Sequence, residues 1–152
     1  MSKTITEFSG RNRFLSNFYK SPMEVEGVRY PTVEHFYQAQ KTLDAELRKQ
    51  IADIPTPSHA KRHGRTVWLR PGWENIKNEI MLQGLRLKFV GTPLATLLLN
   101  TGDAELIEGN TWGDTYWGVC NGVGENMLGK LLMQVRDEIR KEIHNEDVQM
   151  RK

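Results

Sequence analysis

One cysteine, Cys120, stands in 152 residues, so no intrachain disulfide can form, which fits a reducing compartment and makes the cytoplasm the expected location. No apolar run approaches the roughly 20 residues that span a bilayer, which excludes a helical membrane protein. The opening MSKTITEF carries no apolar h-region, so no secretory signal is expected. An excess of one charge is also missing: 21 Lys and Arg against 19 Asp and Glu leave +2, too weak a field to argue by itself for nucleic acid or a membrane surface. There is no Pro/Gly/Ser-rich linker and no internal repeat. The expectation is therefore one domain over residues 1–152, with residues 144–152 as a frayed tail. What is not scarce is tryptophan. Of the four, Trp112 and Trp117 stand among glycines, whereas Trp68 and Trp73 flank a Pro71-Gly72 break and read as packing residues.

Hydrophobic spacing predicts an α+β chain dominated by helices, without the alternating strand and helix order of a doubly wound fold. Ile5–Phe8 reads as a short strand, and Met23–Tyr30 as a hairpin or bent strand turning at Gly27. Pro31-Thr32 signals a helix start with Thr32 as cap. Its apolar side is Val33, Phe36, Ala39 and Leu43. Further helices are expected over Ala45–Asp53, Ser58–Arg65 (a short basic helix or turn), Trp73–Phe89, Pro93–Asn100 (buried) and Met127–Ile143. Ile76, Ile80 and Leu87 form much of the Trp73–Phe89 stripe. Leu128, Leu131, Leu132, Val135, Ile139 and Ile143 form the last one. Ala104–Glu108 reads as a strand.

Four stretches could carry chemistry. FLSNFY (14–19) sets aromatics around Ser16 and Asn17. Phe14 or Phe18 could stack on a base while Asn17 reads its polar edge, or the two Phe could be core and Ser-Asn a turn. In EHFYQAQK (34–41), a rotation of about 100° per residue puts Glu34, Gln38 and Lys41 on one stripe. The carboxyl could donate or accept a proton, and the amine could hold phosphate or attack a sugar carbon. The plain alternative is a solvated face, with acid toward the helix N-terminus and base toward its C-terminus, as the helix dipole favours. His35 lies off that stripe and reads as structural. His59 and His63, four apart, could meet a metal. No carboxylate or cysteine stands at a useful spacing beside them, so no metal is expected. Lys61, Arg62 and Arg65 suit either phosphate or an exposed basic turn.

The fourth stretch is GNTWGDTYWGVCNGVGEN (109–126). Trp112, Tyr116 and Trp117 offer flat faces, glycines admit close backbone approach, and the helix that follows begins with an N-terminus suited to an anion. The alternative is a loop folded over its own tryptophans. Asp114 is a candidate acid, base or ribose-hydroxyl ligand. Gly122-Val123-Gly124 is not a dinucleotide fingerprint, because no apolar strand precedes it and Met127 stands where the third glycine belongs. Cys120 reads as a small buried filler rather than a nucleophile.

Taken in order, FLSNFY (14–19), YPTVEHFYQAQK (30–41), AKRHGR (60–65) and GNTWGDTYWGVCNGVGENMLGKLLMQVR (109–136) resemble the YbiA-like, or NADAR, family from about Phe8 to Arg136. The resemblance implies a compact, predominantly helical α+β domain with a small N-terminal β element. It implies a hydrolase of N-glycosyl bonds needing neither metal nor cofactor. One branch of the family acts on phosphoribosylamino-pyrimidines of riboflavin synthesis, and another on ADP-ribosylated guanine in nucleic acid. Carried onto this chain, Glu34, Lys41 and Asp114 are the catalytic candidates. Glu34 is general acid/base or cation stabiliser, Lys41 attacking amine or phosphate grip, and Asp114 orients ribose or water. Phe14, Trp112 and Trp117 would sandwich the base. Asn17, Phe18, Tyr37, Gln38, Arg65, Asn110, Gly113, Gly124 and Asn126 complete the substrate-binding set, with backbone N–H groups near Gly124–Asn126 on phosphate. The expected partner is a small ribosylated molecule or ADP-ribosylated nucleic acid, not a membrane. A non-catalytic ADP-ribose or NAD-binding module is the competing reading.

Overall fold

The computed structural model describes residues 3–151. In chain order it runs β1 (Thr4–Ile5), a 3-10 helix (Gly10–Leu15), β2 (Met23–Val25), β3 (Val28–Tyr30), α1 (Val33–Ala39), α2 (Ala45–Ala52), α3 (Pro57–Gly64), α4 (Trp73–Phe89), α5 (Leu94–Leu99), β4 (Glu105–Leu106), β5 (Gly109–Asn110), β6 (Val119–Cys120) and α6 (Met127–Met150). The expected helix-dominated α+β class holds. The β content is spread over three two-stranded ladders rather than one N-terminal element. Contacts divide the chain into two compact units, Asn17–Lys88 and the segments on either side of it.

In the Asn17–Lys88 unit, β2 and β3 pair antiparallel with Met23 opposite Tyr30. Glu26 and Gly27 both take positive φ, 52° and 79°, the turn whose twist suits a two-residue hairpin. Tyr30 is buried and meets Phe36 edge-on at 5.6 Å between ring centroids. Thr32 caps α1 by accepting the His35 N–H. His35 is fully buried, with Nδ1 2.8 Å from Thr32 Oγ1 and Nε2 2.8 Å from the Ile54 carbonyl oxygen, the structural role expected of it. Burial lowers its pKa, and the Ile54 contact opposes that shift.

Helix α1 packs against α2, α3 and β3, and α4 approaches it at Gly84, where a Cβ would stand 3.1 Å from Val33 and Phe36. Enclosed on all these sides, every residue of α1 is buried. This overturns the solvated-face alternative for Glu34 and Gln38. Leu43, expected on the apolar side, is exposed, because the helix stops at Ala39 and the periodicity no longer applies beyond it.

The stripe on α4 is also rotated from the one expected. Leu87 is exposed, and the buried face runs through Trp73, Ile80, Met81, Gly84, Leu85 and Lys88. Trp68, expected to pack like Trp73, is 94% exposed. It lies in an irregular segment between α3 and α4 and has no helix face to bury.

Lys88 Nζ lies 5.6 Å from the centroid of the Tyr19 ring. Burial pushes its pKa from 10.5 to about 7. Between those two values the unfolded chain binds the proton and the folded chain does not. Stability therefore rises with pH across this window and falls as the pH drops through it. Lys88→Met is expected to raise the urea midpoint at pH 7 and to flatten its rise between pH 7 and 9. An unchanged midpoint and slope would show that Lys88 does not titrate on unfolding.

In the other unit, β1 and β4 pair in parallel, with Ile5 opposite Leu106, and β5 and β6 pair in parallel, with Gly109 opposite Val119. Helix α6 packs on α5 and β4, burying Leu128, Leu131, Leu132, Val135 and Ile139. Phe14 and Leu15 of the 3-10 helix are core. Two expectations change here. Helix α5 buries only Leu98, with Leu97 exposed. The tail expected to fray continues α6 to Met150, since no Gly or Pro interrupts it; Ile143 and the residues beyond it stand exposed past the core. Lys152 lies outside the described residues. Among the described residues no helix is long and apolar enough to cross a membrane.

Candidate functional site

The Asn17–Lys88 unit carries a polar group at the heart of its most buried helix. The Glu34 N–H donates to the Asn17 carbonyl at 3.1 Å, which fastens the Asn17 loop to the first turn of α1. One turn on, Gln38 Nε2 donates to Glu34 Oε1 at 2.9 Å. The two side chains are 6% and 4% exposed. A buried carboxylate interacts with a nearby positive charge far more strongly than an exposed one, because less water screens it.

That positive charge belongs to Lys41, half-buried just past the end of α1. Its Nζ donates to the Gly64 carbonyl at 3.4 Å and lies 5.8 Å from the centroid of the Tyr37 ring. The stretch bearing Lys41 is pinned by Arg70, whose N–H donates to the Lys41 carbonyl at 2.7 Å and whose guanidinium reaches the Gln40 carbonyl at 3.4 Å. Burial lowers the Lys41 pKa. Glu34 opposes that shift, Arg65 and Lys61 add to it, and Glu74 opposes it. The amine is thus biased toward its neutral, nucleophilic form while a carboxylate stands near enough to feel its charge.

Other candidates in this unit are placed less directly. Asn17 is buried, with Nδ2 3.4 Å from Met81 Sδ. Tyr37 is buried against Trp73, 5.3 Å between ring centroids, so much of its ring serves packing. Phe18 and Arg65 are exposed, Arg65 as the C-cap of α3. His59 Nδ1 lies 2.9 Å from Thr56 Oγ1, the N-cap of the same helix. Among the described residues no group of three or more His, Cys, Asp or Glu side chains is arranged to hold a metal.

In the other unit the 109–126 loop organises itself. Asn110 Oδ1 accepts the Asp114 N–H at 3.0 Å, and its Nδ2 donates to the Asp114 carbonyl at 2.9 Å and to Glu108 Oε2 at 3.1 Å. Asp114 Oδ1 accepts the N–H groups of Tyr116 and Trp117 at 3.1 and 2.9 Å. Asp114 is therefore the group that shapes the aromatic turn. Trp117 is half-buried and meets Tyr116 edge-on at 5.0 Å between ring centroids, while Trp112 is exposed. Gly113 takes φ 86° beside them. Phe14, expected to stack on a base, is buried in this unit's core.

The expected phosphate cradle is closed. The N–H groups of Glu125, Asn126, Met127 and Leu128 donate to the carbonyls of Thr115, Gly118, Tyr116 and Trp117 at 2.8–3.2 Å. The loop folds back and supplies the acceptors that the start of a helix needs. Gly124 makes this approach possible: its φ is 155°, and a Cβ there would strike the Gly118 carbonyl. Asn126 sits in the left-handed region at φ 54°. Its amide bridges the Glu108 N–H and the Leu106 carbonyl, both at 2.9 Å, so it braces the loop from within.

Reading the sequence missed Gly64, Arg70 and Lys88. The Gly64 carbonyl accepts from Lys41, and Arg70 donates to the carbonyls of Lys41 and Gln40; contacts to backbone carbonyls leave no residue pattern. Lys88 lies at a stripe position where an apolar residue is the ordinary choice.

The chain matches the NADAR domain over residues 6–140. It is 44% identical over 128 residues to the N-glycosidase YbiA of Shigella flexneri, covering 82% of this chain and 79% of that one. It is 41% identical over 131 residues to a riboflavin biosynthesis protein of Vibrio vulnificus, covering 84% of this chain and 35% of that longer one. Among solved structures it is similar to the NMR structure of the Escherichia coli protein YbiA, with a TM-score of 0.83, 39% identity, and coverage of 93% and 87% of the two chains.

Proposed function

The chain belongs to the NADAR domain family, and on that footing we propose that it is an N-glycosidase, a hydrolase of the bond between a ribose carbon and a heterocyclic or amine nitrogen. The observation that carries this reading is the Glu34–Gln38–Lys41 group: a buried carboxylate whose partner amide orients it, with an amine of lowered pKa close enough for the two charges to act on each other. As the C1′–N bond breaks, its electron pair leaves with the nitrogen, which takes a proton, and positive charge develops on the ribose ring. Glu34 supplies the proton or the opposing charge. Water then adds its oxygen to C1′ and gives up a proton. Alternatively the neutral Lys41 amine bonds to C1′ as the base nitrogen leaves with the electron pair and a proton, the C1′–O4′ bond opens to give an imine with O4′ protonated, and water hydrolyses that imine to release the sugar and restore the amine.

The favoured substrate is a phosphoribosylamino-pyrimidine. Relatives named for riboflavin biosynthesis support it. ADP-ribosylated guanine is the second candidate. The deciding experiment incubates the protein with a phosphoribosylamino-pyrimidine, NAD, ADP-ribose and guanine-ADP-ribosylated DNA, and follows products by mass spectrometry. Free base or amine together with ribose phosphate is expected from the first. Saturable binding without product from any of the four would make the protein a binding module and sink the proposal.

A further inference from the structure

Gly64 is the last residue of α3, and it is buried facing Gln38. A Cβ on Gly64 would overlap Oε1 and Cδ of Gln38. The Gln38 amide therefore occupies the space that any other side chain at residue 64 would need. Backbone freedom does not explain this glycine: it is helical, outside the positive-φ set, at a position where alanine is the better helix former. Its carbonyl lies in the last turn of α3, where carbonyls lack a partner within the helix, and it accepts the Lys41 ammonium at 3.4 Å. The amide facing it has a defined orientation. Gln38 turns Nε2 to Glu34 and Oε1 toward Gly64, where Oε1 is buried and accepts no hydrogen bond.

We infer that Gly64 is a positioning residue: by carrying no side chain it admits the Gln38 amide between the Glu34 carboxylate and the carbonyl that holds Lys41, so that acid and amine are set as one unit. The part played in turnover rests on the N-glycosidase reading; the geometric linkage does not.

Two readouts test it on the full chain, using Gly64→Ala, Gln38→Ala and the double variant. The first is the pH midpoint for acetylation of Lys41 by acetic anhydride, read by peptide mass spectrometry, which needs no substrate. Either change disturbs the packing of the turn whose carbonyl holds Nζ, and a weaker hydrogen bond to that carbonyl favours the neutral amine. The midpoint is expected to fall in each single variant and to fall no further in the double one. The second is turnover of the phosphoribosylamino-pyrimidine. Gly64→Ala is expected to lower kcat about tenfold or more with KM within about threefold, and to add less than about twofold on the Gln38→Ala background. An unshifted Lys41 midpoint, or equal losses from Gly64→Ala on both backgrounds, overturns the inference, because a merely structural glycine would act without Gln38. Should Gly64→Ala fail to fold, Gln38→Asn carries the test: its amide is one methylene shorter, and an unchanged midpoint there overturns the linkage equally. Shifted midpoints in a protein that cleaves none of the substrates would keep the linkage and remove the N-glycosidase reading. Cleavage with unshifted midpoints would do the reverse.

Discussion

Glu34→Gln is expected to lower kcat for N-glycoside cleavage by about a hundredfold or more, with KM little changed and the fold intact. The substitution is close to isosteric. The new amide oxygen can still accept from Gln38 Nε2, as Oε1 does now at 2.9 Å, so packing around α1 is preserved and only the charge and the titratable proton are lost. Those are the two properties the reaction uses, whether Glu34 protonates the departing nitrogen or opposes charge on the ribose ring. The site is buried, so little water is present to stand in for the missing carboxylate. A second signature follows from the same geometry. Glu34 holds the Lys41 pKa up against burial. Removing its charge lowers that pKa further, and any limb of the pH–rate profile that reports Lys41 moves to lower pH. Turnover within about threefold of the unsubstituted protein would remove Glu34 from the mechanism.

How much of this could be read from residues alone depends on which interactions carry each feature. The start of α1 was legible because a side chain supplies the cap, Thr32 accepting the His35 N–H, and Trp73–Phe89 begins and ends where its spacing says; the Thr56 cap of α3 went unread. Stripes were legible only while the helix lasted, which is why Leu43 falls outside the core. On α4 the buried face contains a lysine and a glycine, so hydrophobic counting placed the stripe too far toward Leu87. The Glu34–Gln38 register was visible as a one-turn spacing. Its burial was not, because burial is imposed by the packing of α2, α3, β3 and α4 around the helix, which leaves no pattern within α1 itself. In the 109–126 loop the residue types leave ligand binding and self-folding both open, and in the structure the Asn110 amide and Asp114 Oδ1 bond the loop's own backbone while the Asn126 amide bonds that of Leu106 and Glu108. Asn and Asp bond neighbouring backbone as readily as they bond a ligand, and sequence does not separate the two uses. The closed N-terminus of α6 has the same origin, since its acceptors are backbone carbonyls that any residue could provide.

Lys41 is expected to form a covalent bond to the sugar. Borohydride added during turnover should leave a reduced ribose-phosphate adduct on the peptide that contains Lys41, visible in the intact mass and by fragmentation. The chemistry requires a neutral amine at working pH. Burial lowers the Lys41 pKa toward that condition, and Arg65 and Lys61 push in the same direction. The amine must also be held still, and it is fixed from two sides, by the Gly64 carbonyl on its side chain and by Arg70 on its backbone. The Lys41 amine bonds to C1′ as the C1′–N bond breaks and the base nitrogen leaves with the electron pair and a proton; the C1′–O4′ bond then opens, O4′ takes the remaining proton of the Lys41 nitrogen, and the resulting imine is reduced by borohydride to a stable secondary amine. Lys41→Arg separates this role from a phosphate grip. The guanidinium keeps the positive charge and suits phosphate, but it stays protonated and cannot attack carbon. As nucleophile, Lys41 makes the arginine variant lose about a hundredfold or more in kcat and trap nothing. As phosphate ligand, it leaves the variant within about tenfold of full turnover with a changed KM. An active arginine variant together with no adduct on the unsubstituted protein would sink the nucleophile role and leave Glu34 as the sole centre of the chemistry.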